Sequence, residues 1–267
     1  MENTIRNMQT KPAPSLGRQM LNKVPEITIF FWIVKILATT VGETAADFLS
    51  EFLNLGLIIT TIIMGVILAV TLVFQFKSRK YVAGIYWLAV VLISIAGTLV
   101  TDDLVDNLGV PLETTTIIFA IALTVTFITW FISEKTLSIH SIYTTKRETF
   151  YWVAILFTFA LGTAAGDLIS EGLNLGYFIS ALIFALLIAV VALLHYKFKL
   201  NSVTSFWMAY ILTRPLGASL GDLFSQKRAD GGIGLGTVGT TVIFLLIILC
   251  VVIYLSKTKK DATGIDK

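Results

Sequence analysis

Four aspartates in this chain stand at one fixed distance from four tryptophans. An aromatic residue precedes each of Trp32, Trp87, Trp152 and Trp207. A glycine follows ten positions later, at Gly42, Gly97, Gly162 and Gly217, and an aspartate fifteen positions later, at Asp47, Asp102, Asp167 and Asp222. More acids gather around them. Glu43, Asp47 and Glu51 fall at i, i+4 and i+8, with Asn54 at i+11, so a continuing helix would put all four on one face. The second copy adds Asp103, Asp106 and Asn107 to Asp102, the third adds Glu171 and Asn174 to Asp167, and the fourth has Asp222 with Ser225 and Gln226. Carboxylates this close repel each other, so protons, basic side chains or a bound cation must neutralise them. Oxygen ligands with no His or Cys among them suit hard divalent ions such as Mg²⁺, Ca²⁺ or Mn²⁺ and argue against Zn²⁺ and Cu⁺. The plainer reading, solvated helix ends in outer loops, is set against this chiefly for Asp103, Asp106, Glu113 and Asp230.

The rest of the chain defines the solvent in which that chemistry would occur. Of 267 residues, 56% are apolar and 14% charged, where soluble globular proteins average about 25% charged. Too few polar residues remain to cover a water-facing surface, and a disordered chain would need low hydrophobicity. Cys250 is the single cysteine, which excludes an internal disulfide. A net charge of +3 gives no electrostatic reason to expect nucleic acid. The lipid bilayer is the expected partner. Apolar stretches long enough to cross about 30 Å of hydrocarbon place eight helices near 27–43, 56–76, 82–101, 112–132, 150–166, 176–196, 204–222 and 236–255.

Orientation follows from the basic residues, which are retained on the cytoplasmic side of a membrane. Of the 20 Lys and Arg, Lys227 and Arg228 fall in an outer loop, Lys35 and Arg214 within helices, and all the others on the opposite side with both termini. The expected organisation is a cytoplasmic tail over 1–26, a first half over 27–134, a cytoplasmic linker over 135–149, a second half over 150–256 and a cytoplasmic tail over 257–267. The first 26 residues read as a retained, solvated arm and not a signal peptide. Lys35 either snorkels to the inner interface or serves with Arg214 as a counter-ion to the acids. Arg214 lies deeper, before Pro215, and should pair with a carboxylate. The tryptophans read as an interfacial aromatic belt, and the motif glycines as points of close helix packing.

Successive tryptophans are 55, 65 and 55 residues apart, so four units pair into two halves. Each unit begins and ends on the same side, which makes the units parallel two-helix repeats related by an axis along the membrane normal. Equivalent aspartates then share one depth and form a ring, the arrangement by which cation pathways concentrate positive ions. The fold class is therefore all-α integral membrane, with eight transmembrane helices in a pseudo-fourfold array.

The repeated W-x9-G-x4-D pattern, and the segment from Asp47 to Gly56 that matches Asp167 to Gly176, resemble a family of bacterial inner-membrane proteins long labelled uncharacterised and membrane-anchored. The likeness runs from Phe31 to Tyr254. It implies a multi-spanning bacterial inner-membrane protein and, more distantly, export of a metal ion such as manganese. The fourth unit departs from the pattern by lacking the Ser-Glu pair after Asp222. Gly166-Asp167 and Gly221-Asp222 also echo half of the GxGD signature of intramembrane aspartyl proteases, but Ala164 and Ser219 stand where its first glycine should be. No phosphate loop, Ser-His-Asp set or cofactor motif appears, so no enzyme activity and no cofactor is expected. The expectation is a transporter of a hard divalent cation, Mn²⁺ favoured, driven by membrane potential or proton exchange. Asp47, Asp102, Asp167 and Asp222 would be primary ligands, Glu43, Glu51 and Glu171 secondary ones. A membrane scaffold or cation sensor and an organic-cation carrier are the alternatives.

Overall fold

The computed structural model describes residues 22–262, apart from the side chains of Glu51 and Phe52. Its eight long helices are α1 Ile29–Asp47, α2 Leu57–Lys77, α3 Ala83–Asp102, α4 Leu112–Glu134, α5 Thr145–Asp167, α6 Tyr177–Phe198, α7 Ser202–Ser225 and α8 Gly236–Thr258. No strand occurs among the described residues. The helices lie within a few residues of the apolar stretches. The largest shift is at α5, which starts at Thr145 because the Thr144 hydroxyl accepts the Arg147 N–H at 3.3 Å, an N-cap that precedes the apolar run.

Seven of the eight helices are long and apolar enough to cross a membrane. The eighth, α7, is long enough but falls short in composition. Its face carries Arg214, Ser219 and Asp222, all buried among neighbouring helices. Enclosure by protein removes the need for an apolar surface, and the chain is a multi-pass helical membrane protein.

The motif glycines reveal how the units close. A Cβ built on Gly42 would meet Ser94 of the second unit, on Gly97 would meet Phe159 of the third, on Gly162 Arg214 of the fourth, and on Gly217 Thr39 of the first. Each glycine thus receives the residue three positions before the glycine of the next unit, and the fourth unit returns to the first. Accordingly α1, α3, α5 and α7 form an inner ring in which each packs on its two neighbours. The outer helices are displaced by one unit: α2 packs on α3, α4 on α5, α6 on α7 and α8 on α1. The first three hairpins hardly touch within themselves, which refines the picture of self-contained two-helix units. Large apolar side chains such as Ile62, Val70, Ile121 and Leu186 stand exposed on this outer ring, as lipid contact requires.

The aspartate-bearing inner helices do not simply continue. After Asp47, Asp102 and Asp167 the backbone widens into π-helical turns over Phe48–Phe52, Asp103–Asn107 and Leu168–Gly172. Ser50 and Ser170 donate their hydroxyls back to the Ala46 and Gly166 carbonyls at 2.8 and 2.9 Å, which bends such helices. Asn54 and Asn174 then turn left-handed at φ 53°, and Gly56 and Gly176 follow at φ 74° and 76°. The repeated Asn-Leu-Gly therefore reverses the chain, and the expected helical face extending to Asn54 does not exist. The fourth unit has no π turn, and its helix runs on to Ser225.

At the opposite end of the bundle the chain is stitched shut. Asn22 to Pro25 are buried, not solvated, while residues 1–21 of the expected arm and 263–267 of the expected tail lie outside the described residues. Lys23 Nζ reaches Glu148 at 2.6 Å and the Phe76 carbonyl at 2.9 Å, and Gln75 donates to the same Glu148 at 3.2 Å. The Glu26 N–H bonds the Asp261 carbonyl at 2.9 Å, and the Tyr81 hydroxyl donates to Asp261 Oδ2 at 2.5 Å. Burial, with the neighbouring Asp261 charge, raises the Tyr81 phenol far above its ordinary range, and burial raises Asp261 despite the hydrogen bond it accepts. A group whose folded-state pKa is raised contributes stability below its unfolded value and loses it as pH climbs past that value. Tail docking should thus lose the Asp261 contribution as pH rises past about 4 and weaken again above about pH 10, where a released tyrosine ionises. Crosslinking of the 259–262 segment to position 81 as pH rises checks this, and Tyr81→Phe should remove the alkaline loss.

Candidate functional site

Because the inner helices are equivalent, counting from each motif tryptophan assigns side chains to levels one helical turn apart. Fifteen residues on are Asp47, Asp102, Asp167 and Asp222. Eleven on are Glu43, Thr98, Thr163 and Ala218. Seven on are Thr39, Ser94, Phe159 and Arg214, and three on are Lys35, Val90, Ile155 and Tyr210. All four aspartates line a single cavity of about 460 Å³ at the end of the bundle away from the stitched termini, together with Glu43, Asp106, Glu171, Ser50 and Gln226. One cavity thus gathers an aspartate from every unit.

Within that mouth Glu43, Asp167 and Asp222 can each offer a carboxylate oxygen within 4.8 Å of the other two, and Glu43 and Asp222 are buried. Below them lies Arg214, wholly enclosed. Its Nη2 donates to Glu43 Oε2 at 2.9 Å, to the Thr163 hydroxyl at 2.6 Å and to the Thr98 hydroxyl. Arg214 starts from the level of Thr39, Ser94 and Phe159 and reaches up to the level above, where its own helix has only Ala218. It joins the Glu43, Thr98 and Thr163 of the other three units. Nε and Nη1 of Arg214 make no hydrogen bond among the described residues.

The remaining candidate residues scatter. Asp103 turns toward α2, accepting from Thr61 at 2.6 Å and from Asn107 at 2.6 Å, and it does not line the cavity. Asp106 reaches the rim, exposed, and Glu171 on the rim accepts from the Tyr177 hydroxyl at 3.1 Å. The side chain of Glu51 lies outside the described residues. Glu113 and Asp230 are exposed.

Two expectations for the inner half are corrected. Lys35 does not snorkel: it is fully buried, its Nζ 4.1 Å from the Phe159 ring centre and 4.2 Å from that of Tyr210. The aromatic pairs likewise form no interfacial belt. Phe31, Tyr86, Tyr151 and Phe206 turn inward with Trp87, Trp152 and Trp207, all buried, and pack ring on ring across the bundle while Tyr86 and Tyr151 share a 2.5 Å hydrogen bond between hydroxyls. Aromatic and apolar packing thus closes the inner half under the acidic cavity. Sequence reasoning missed Thr98 and Thr163 as partners of Arg214, although both sit one turn before a motif aspartate. It also missed the Lys23–Glu148 pair, for which no spacing signal exists.

Fold and site together define a membrane protein of four interlocked helical repeats around an acidic cavity open at one end. The chain belongs to the family described as Repeat of Unknown Function (DUF347), which it matches four times, over residues 30–81, 85–136, 150–201 and 205–261. Those boundaries follow the four tryptophan-led units. No curated protein and no solved structure matches the chain.

Proposed function

We propose that this protein transports a hard divalent cation, Mn²⁺ in first place, between the acidic cavity and the opposite side of a bacterial inner membrane, with both termini cytoplasmic. The observation that carries the reading is the Glu43–Asp167–Asp222 cluster held within 4.8 Å at the base of a cavity ringed by the aspartates of all four units. Three carboxylates at that spacing match the demand of a hard ion for several oxygen ligands. Arg214 supports transport over fixed storage, because its guanidinium holds Glu43 in place of the ion and can return there when the ion leaves. A buried carboxylate is then never left without a positive partner. The closed inner half corresponds to a carrier caught open on one side only, and the sequence contains no nucleotide site to drive it, so membrane potential or proton exchange supplies the energy.

Proteoliposomes loaded with a metal-sensitive dye test the reading. Wild-type protein should carry Mn²⁺, and Asp167→Asn and Asp222→Asn should each cut uptake by about a hundredfold or more, since each removes a ligand charge from a three-charge site. Binding without flux would instead identify a cation sensor, the reading that the Arg214–Glu43 lock also suits. Flux of bulky organic cations with indifference to Mn²⁺ would overturn the metal assignment.

A further inference from the structure

Among the described residues two basic side chains are buried on the axis beneath the carboxylates, and one of them has an acidic partner. Arg214 holds Glu43. Lys35 is fully buried, its Nζ makes no hydrogen bond, and the Arg214 charge acts on it directly. The ionisable groups around it are Arg214 and Tyr210 on α7, Tyr86 on α3 and Tyr151 on α5 one turn toward the inner end, and Glu43 two turns away on α1 itself. On α8, which also packs on α1, Cys250 is exposed and Tyr254 and Lys257 lie near the inner end. Among the described residues two aromatic faces are the groups placed to stabilise an ammonium at Lys35, and each desolvated cation–π contact contributes about 2 kcal/mol. The two together stand close to the cost of burying the charge, so the ammonium is held only while Glu43 neutralises the neighbouring Arg214.

This inference rests on the cation reading proposed above. A divalent ion drawn to Glu43, Asp167 and Asp222 competes with Arg214 for Glu43 Oε2. Once displaced, Arg214 keeps only the hydroxyls of Thr98 and Thr163, and two buried cations face each other without a carboxylate. Arginine holds its proton at every relevant pH, whereas the amine of a buried lysine can release one. We infer that Lys35 couples the ion to a proton, giving one up when the cation takes Glu43 from Arg214 and recovering it when Arg214 returns. The Nζ–H bond breaks, the electron pair stays on nitrogen, and the proton passes to water. The Tyr210 hydroxyl, which has no hydrogen-bond partner among the described residues, and the hydrogen-bonded Tyr86–Tyr151 pair mark the direction toward the inner end.

The test is the number of protons released per ion bound by purified full-length protein, titrated with MnCl₂ in a weakly buffered detergent solution containing a pH indicator. Lys35→Met keeps the length of the side chain and its contact with the two rings. It should bind Mn²⁺ while releasing one proton fewer per ion than wild type. An unchanged proton count in Lys35→Met would overturn the coupling role while leaving the cation site standing. Absence of Mn²⁺ binding by wild type would instead remove the site and the coupling together. Should Lys35→Met fail to fold, Lys35→Arg fixes the positive charge: the expected result is one proton fewer with affinity reduced about tenfold or more, and wild-type affinity and proton count would overturn the inference.

Discussion

Glu43→Gln is expected to destabilise the folded protein by about 3–5 kcal/mol, because it leaves the guanidinium of Arg214 buried with no opposite charge. The Glu43 carboxylate is the one acidic group bonded to Arg214 among the described residues, the other two bonds being to threonine hydroxyls. Removing both charges in Glu43→Gln/Arg214→Met should restore most of that loss, since a matched apolar replacement of a buried pair is often neutral or better. Thermal unfolding of the single and double variants in detergent measures the coupling. Mn²⁺ transport separates stability from function, because the double variant should fold and yet fail to transport, having lost one of the three ligands. A Glu43→Gln protein as stable as wild type would mean that Arg214 is satisfied in some other way, and the counter-ion argument would fall.

The second large effect concerns the ring itself. A Cβ on Gly217 would lie 2.5 Å from the Thr39 Cβ and closer still to its hydroxyl, at the seam where the fourth unit meets the first. A Cβ on Gly97 would stand 2.8 Å from the Phe159 Cβ and 3.1 Å from the Ala160 backbone nitrogen, which has no room to retreat. Gly217→Ala and Gly97→Ala should each cost at least the 1–3 kcal/mol typical of overpacking, with Gly217→Ala also reducing transport because Thr39 sits one turn below Glu43. Gly65→Ala and Gly84→Ala are the controls. Nothing lies within 4 Å of a Cβ at either position, so both should be neutral or stabilising by up to about 1 kcal/mol through helix propensity. Melting curves of the four variants decide the matter, and equal behaviour would refute the close-packed ring.

Most of the architecture was legible from periodicity and repetition. Apolar length fixed the helices, and the recurrence of Trp, Gly and Asp implied that equivalent acids share a depth, as they do around the cavity. The limits of that reasoning are physical. Hydropathy cannot separate a lysine near a helix end that reaches water from one enclosed by neighbouring helices, so Lys35 was open to both readings and only the packing of Phe159 and Tyr210 over it decides. The same ambiguity put the aromatic pairs at the interface when they fill the core. Helical spacing carried Asn54 onto the acidic face because a pattern of i+4 steps contains no warning of a π turn, although the repeated Asn-Leu-Gly held the turn chemistry that ends the helix. Asp103 belonged to the right cluster in sequence and left it in space, since the widened backbone points it at Thr61.

The offset between inner and outer helices also bears on how such a chain could be divided or built. Because α2 seats on α3, α4 on α5, α6 on α7 and α8 on α1, a fragment ending after α4 would carry an outer helix with no seat and an α1 with no cover. Two identical fragments of that kind would supply each other's missing contacts, so a half-length chain of this design would have a ready route to pairing. Splitting the chain in the 135–144 connection and co-expressing the pieces should accordingly regenerate the assembly.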